Sequence, residues 1–190
     1  MKSLESIYNS ILLENQNPNN IDIRLLKKCV NGEYTINNDG SIDVEGNVDL
    51  SYNELTKIPF KFGIVSGNFN CSDNQLTSLE GAPNSVGGDF NCSGNQLTSL
   101  EGAPNSVGGG FYCYINQLTS LEGVPNSVGG IFNCSNNPNL PYSELFKIVD
   151  RVRGDIYYYS HRTLEDKDKI RRDRDLKNVL KDDELGSLDV

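Results

Sequence analysis

Between Gly46 and Leu140 the apolar positions recur in one order at one spacing. GNFNCSDNQLTSLEGAPNSVG runs from Gly67 to Gly87, GDFNCSGNQLTSLEGAPNSVG from Gly88 to Gly108, and GGFYCYINQLTSLEGVPNSVG from Gly109 to Gly129. A shorter copy, GIFNCSNNPNL, starts at Gly130, and a diverged one, GNVDLSYNELTKIPFKFGIVS, fills Gly46 to Ser66, so the period is 21 residues. Within a copy, Phe90 and Cys92 alternate with Asp89, Asn91 and Ser93. That alternation predicts a short strand with Phe and Cys inward and the polar residues outward. Asn95, Leu97 and Leu100 follow, the Gly-x-Pro-Asn stretch from Gly102 to Asn105 turns the chain, and Val107 returns to the core before Gly108 and Gly109 open the next copy. A fixed period of this length predicts a solenoid. One coil holds too few apolar side chains to offset the entropy of ordering itself, so the coils must stack to be stable.

This pattern resembles the leucine-rich-repeat family. The family's strand segment, LxxLxLxxNxL, aligns with Phe90, Cys92, Asn95 and Leu97 and with their counterparts one period away. Val or Phe, and Cys, stand in for two of the usual leucines, and in the last copy Leu140 sits one residue late, after Pro138. The short period and the LTSLEG–P punctuation are similar to the compact repeats of bacterial and tailed-phage proteins. The resemblance implies an α/β repeat fold: a short solenoid with a parallel β-sheet on its concave face, helical caps at both ends, and coils that end near Leu140. It also implies that a protein partner docks on the concave sheet. The expected partner-binding residues are Asp49, Tyr52, Asn70, Asp89, Asn91, Tyr112, Tyr114, Ile115 and Asn133. Most of this face reads as bland Asn and Ser (Ser72 and Ser93 included), whereas Tyr112, Tyr114 and Ile115 break it. Tyrosine suits an interface core because a rigid ring buries much area and keeps a polar tip. Burial of these rings under the C-terminal segment, with its own Tyr157 to Tyr159, is the equal alternative.

The flanks predict end caps, which divides the chain into residues 1–45, 46–140 and 141–190. Leu4, Ile7, Tyr8, Ile11 and Leu12 fit one face of a helix, and a second helix is expected from Ile21 to Val30, started by Asn19 or Asn20. Tyr34 to Ile36 and Ile42 to Val44 flank an Asn-Asp-Gly turn, a hairpin signal. After the repeats, Leu145, Ile148, Val149 and Val152 fit a covering helix that Gly154 would end. Ile156 to His161 reads as extended, and Thr163 and Asp166 suggest the start of a final charged helix anchored by Ile170, Leu176, Val179 and Leu180.

Three ladders follow from the period. Cys71, Cys92, Cys113 and Cys134 should stack inside as small hydrophobes, because a straight row is not a tetrahedral metal site. Asn53, Asn74, Asn95, Asn116 and Asn137 should satisfy backbone groups at the bend after each strand. Glu80, Glu101 and Glu122 form an outer row, read as solvated side chains rather than cation ligands. No metal or cofactor is expected.

The formal net charge of −9 disfavours nucleic acid and anionic membrane as partners. No unbroken apolar run suits a signal peptide or a membrane span, and the five cysteines make no CxxC pair, so a cytoplasmic setting with reduced thiols is expected. Asp49, Asp73 and Asp89 make the expected partner-binding face mildly acidic, which suits a basic partner surface. Arg171, Arg172, Arg174 and Lys177 alternate with Asp173 and Asp175, as on a solvated helix. His161 is the sole histidine, and no nucleophile–base constellation is evident. The leading expectation is a non-catalytic, monomeric protein-interaction module. The alternatives are a structural virion component (Leu12-Leu13-Glu14 has the L-x-E form that prohead proteases cleave) and an acidic decoy that mimics nucleic acid.

Overall fold

The computed structural model describes residues 22–159 and 164–186. The expected helix over Leu4 to Leu12, the Leu12-Leu13-Glu14 motif, the Asn19 or Asn20 cap, His161 and Thr163 lie outside these residues. What the structure shows is a solenoid of about six turns with parallel pairing and few helices.

Helix α1 (Ile23–Cys29) is shorter than expected and starts at Asp22, whose side chain accepts from the N–H groups of Arg24 and Leu25. It runs directly into strand β1 (Val30–Ile36), which pairs antiparallel with β2 (Ile42–Asp49) along its whole length. The hairpin is therefore longer than the alternating stretches alone suggested. Gly32 and Gly46 face each other across it at φ +143° and +147°, where a Cβ on either would run into the opposite backbone. That pair lets the hairpin bend around a corner.

On the far side of this corner β2 splits its pairing. Its first half pairs with β3 (Phe62–Val65), and its last two residues pair with β4 (Phe69–Asn70). Two parallel strips grow from there. The Phe strip continues through β6 (Phe90–Asn91), β8 (Phe111–Tyr112) and β10 (Phe132–Asn133). The Val strip continues through β5 (Ser85–Val86), β7 (Ser106–Val107) and β9 (Ser127–Val128). No helix follows β4, β6 or β8. The Ser-Val dipeptide instead forms a second ladder, so each coil turns through two strands rather than a strand and a helix. Between the strips the corner glycines are chained, with Gly67, Gly88, Gly109 and Gly130 each donating to the glycine carbonyl one coil earlier.

The core repeats with the coils. Phe69, Phe90, Phe111 and Phe132 are fully buried and stack at centroid distances of 5.5, 5.1 and 5.4 Å. Cys71, Cys92, Cys113 and Cys134 are buried beside them, as are the leucines at 76, 79, 97, 100, 118 and 121. Burial pushes the Cys71 thiol up to about 12 and holds Cys92 and Cys113 well above their ordinary range.

The stack does not end at Leu140. After a 3-10 helix (Tyr142–Lys147), Val152 bridges in parallel to Val128, Gly154 donates to the corner carbonyl of Gly130, and β11 (Ile156–Tyr157) pairs in parallel with β10. RVRGDIY is thus a disguised copy of the SVGGIFN segment. Gly154 is a corner glycine rather than a helix stop, and the expected helix through Val152 is only the 3-10 turn. Strand β12 (Leu164–Glu165) closes this edge antiparallel to β11. The long helix α2 (Lys167–Gly186) then packs on the 3-10 turn through buried Ile170, with Asp166 accepting from the N–H groups of Asp168 and Lys169 at its start, while Leu176 stays exposed. The end covers are therefore largely hairpin, strand and 3-10 turn, with α2 laid over the last.

Candidate interaction face

The pairing register aligns Asp49, Asn70, Asn91, Tyr112, Asn133 and Tyr157 in one row along the outer side of the Phe strip. Two parallel rows flank it. Asn47, Asn68, Asp89 and Gly110 lie before it, and Ser51, Ser72, Ser93, Tyr114 and Ser135 lie after it. Tyr52, Asp73, Gly94, Ile115 and Asn136 come next, and each of these adopts φ between +53° and +65°.

In most coils these rows serve the backbone. The Oδ1 atoms of Asp49, Asn70, Asn91 and Asn133 each accept from the N–H group two residues on, at Ser51, Ser72, Ser93 and Ser135. The serines at 51, 93 and 135 add their hydroxyls to the same oxygen. Ser72 and Ser93 are consequently buried and are not part of the outer surface. Asn133 is buried too, at 8% exposure, between Tyr112 and Tyr157 in the row where Asn91 has a smaller Asn on one side, so it is withdrawn from the expected partner-binding set. Asn70 and Asn91 are half-buried, while Asp49 and Asp89 are exposed.

A further ladder was not anticipated. Asn47 Oδ1 accepts from Asn68 N–H, Asn68 Oδ1 from Asp89 N–H, and Asp89 Oδ1 from Gly110 N–H, at 2.7, 2.8 and 2.6 Å. The signal was a polar residue 21 positions from its like, directly after a corner glycine. The asparagine ladder at the bend also reaches between coils. Asn95 Nδ2 donates to Cys71, Cys92 and Ser93 carbonyls, and its Oδ1 accepts from Leu76 N–H. Asn74, Asn116 and Asn137 repeat this, each joining its own coil to the one before, whereas Asn53 lies exposed.

The coil from Gly109 to Gly129 departs from these devices. Gly110 has no side chain to continue the ladder, Tyr112 has no acceptor for the turn, and Tyr114 replaces the buried serine. Ile115, a β-branched residue at φ +53°, occupies a left-handed position that its neighbours fill with Gly, Asp or Asn. The Tyr112 ring lies back over Gly110, where an added Cβ would stand 2.6 Å from the hydroxyl oxygen. Tyr112 and Tyr114 remain half-buried, and Ile115 is 53% exposed. Among the described residues, Val152 to Tyr157 extend the stack beside β9 and β10. Tyr52 is 78% exposed, and the neighbouring Asp73 carboxylate raises its pKa. The Tyr112 pKa is raised by partial burial and then by the nearby Asp89 charge. At the C-terminal end, Tyr159 is 66% exposed and, with Asn136, Pro138 and Tyr158, lines a depression of about 440 Å³.

Differences between coils concentrate on this face. The copies starting at Gly67 and Gly88 differ only at Asn68/Asp89 and Asp73/Gly94. The copies starting at Gly88 and Gly109 differ at Asp89/Gly110, Asn91/Tyr112, Ser93/Tyr114, Gly94/Ile115 and, away from the face, Ala103/Val124. Residues 62–140 contain acids but no Lys, Arg or His.

Among the described residues, no trio of His, Cys, Asp or Glu is grouped to hold a metal ion, and no helix is long and apolar enough to cross a membrane. Glu80, Glu101 and Glu122 stay exposed. Arg171 and Arg174 are engaged by Asp150. Comparison of the chain with protein-family models, with curated proteins and with solved structures returns no match.

Proposed function

We propose that the chain is a non-catalytic interaction module whose outer Phe-strip face binds another protein, and that its coils are a compact variant of the leucine-rich-repeat type. The repeat type is supported by one bridging asparagine and the fixed leucines in each coil. The observation that carries the functional reading is the coil from Gly109 to Gly129. On one face it forgoes three local devices that its neighbours use, and it displays Tyr112, Tyr114 and Ile115 instead. Local inconsistency concentrated on one face, above the same inward Phe, Cys and Leu residues, is the pattern of a surface shaped for contact rather than for stability.

The internal repeat supplies a clean test. Gly110→Asp, Tyr112→Asn, Tyr114→Ser and Ile115→Gly together turn this strand and bend into those of the preceding coil. The variant is expected to keep its circular dichroism spectrum, to melt no lower than wild type, and to lose the partner captured by wild type from native host extract. Unchanged capture by a folded variant rejects the face.

A further inference from the structure

We infer that the segment received by this face is an extended, arginine-bearing stretch of the partner protein. The inference rests on the interaction reading above and gives its partner a chemistry.

The face is aromatic and acidic together. Tyr52 and Asp73 sit on adjacent coils in the left-handed row, joined by the bond from Tyr52 N–H to the Ser72 carbonyl, and the Tyr112 ring lies over Gly110, whose N–H donates to Asp89, so two rings each have a carboxylate at hand. Asp49 adds a third exposed acid to the central row. No cation on residues 62–140 competes for these groups. A guanidinium can lie flat on a tyrosine ring while its N–H fork reaches a carboxylate, which the compact ammonium of lysine does less well. An acidic or phosphate-bearing partner would meet repulsion at each of these positions.

The dimensions suit an extended chain. Tyr52 and Ile115 lie three coils apart in the left-handed row, about 14 Å at the usual strand spacing. A stretch of about four extended residues covers that distance. Its apolar residues would rest on Ile115 and its cations at the two ring–carboxylate pairs.

Calorimetry with an oligoarginine peptide at low salt tests this. Asp73→Gly with Asp89→Asn removes two acids from the face, and each replacement is the residue that an adjacent coil carries at that place, so the fold is kept. Glu101→Gln with Glu122→Gln makes the same change in net charge on the exposed glutamate row. Tyr112→Asn with Tyr114→Ser removes rings and no charge. The first and third variants are expected to weaken binding about tenfold or more, and the second by no more than about twofold. The first should also flatten the salt dependence. Equal losses from the two charge-matched variants would show attraction to overall charge alone and overturn the proposal. So would tyrosine variants that bind as well as wild type. If the coil replacement described above abolishes capture of the host partner while oligoarginine ignores the face, the interaction reading stands and the cationic partner falls.

Discussion

Ile115 is the residue at which stability and display conflict most directly. A β-branched side chain in the left-handed region costs on the order of 1–3 kcal/mol, and Asp73, Gly94 and Asn136 meet the same backbone demand more cheaply. Ile115→Asn is therefore expected to raise stability by about 1 kcal/mol, seen as a melting temperature about 2–4 °C higher. A lower melting temperature would mean that the isoleucine side chain packs for stability after all. The asparagines at the bend show the opposite economy. Asn95 alone satisfies one backbone donor and three carbonyls from two coils. No apolar residue of its size can do that, and each of these groups left bare would cost about 1–3 kcal/mol.

Among the elements, α2 is the one held most by charge. Of its side chains from Lys167 to Asn178, only Ile170 is buried. Asp150 receives Arg171 Nε at 2.9 Å and Arg174 Nη1 at 2.5 Å, and Lys169 bridges to Asp173 at 2.7 Å. Lys167 Nζ donates to the carbonyls of Val152 and Gly154 at 2.7 and 3.2 Å, which ties the helix start to the last coil. Exposed pairs of this kind contribute about 0–1 kcal/mol each and weaken in salt. Asp150→Asn is thus expected to speed amide exchange within α2 and leave the coils unchanged, and high salt should mimic it in wild type. Equal acceleration throughout the coils would instead make α2 an integral part of the stack. The hydrogen bonds from Arg174 and Arg171 also hold the Asp150 carboxyl below its usual range, so the latch should persist into mild acid. Glu144 closes the stack differently. Burial pushes its carboxyl up, but hydrogen bonds from Lys147, Leu121 N–H and the Ser120 hydroxyl outweigh that, leaving it lowered.

Across the whole molecule the buried thiols couple stability to alkaline pH. Cys71 titrates near 12 when folded, and Cys92 and Cys113 lie well above their ordinary range, against about 8.5 for an unfolded thiol. Below about pH 8.5 both states hold these protons and nothing changes. Above it the unfolded chain releases them and the folded chain does not, so stability falls by up to about 1.4 kcal/mol per thiol per pH unit, until the folded thiols ionise as well. Melting temperatures should therefore be flat near neutrality and drop from about pH 9 upward. Cys71, Cys92 and Cys113 should meanwhile resist a thiol reagent until denaturant is added. Rapid labelling of the native protein at these positions would contradict the packed core.

Much of this architecture was legible in the residues because a solenoid is a nearest-neighbour structure. A 21-residue period with Phe and Cys alternating against polar residues implies which side chains stack, and the same spacing places the amides at each bend. The outward positions of Tyr112 and Tyr114 follow from the same alternation, whereas Tyr52 and Ile115 fall on its inward parity and are turned outward by the left-handed backbone after each strand. What only the tertiary structure decided depends on contacts that leave no periodic mark. The Ser-Val dipeptide is too short to announce itself as a strand, and becomes one because Ser85, Ser106 and Ser127 meet in register. Gly154 joins the corner ladder although three extra residues obscure its phase. Asn133 reads like Asn91 but is buried, with Tyr112 on one side and, on the other, Tyr157 of β11, which arrives from a segment with no visible repeat. The chain's own chemistry determines the coil and its inward residues, whereas the exposure of an outward residue is set by whatever the fold brings next to it.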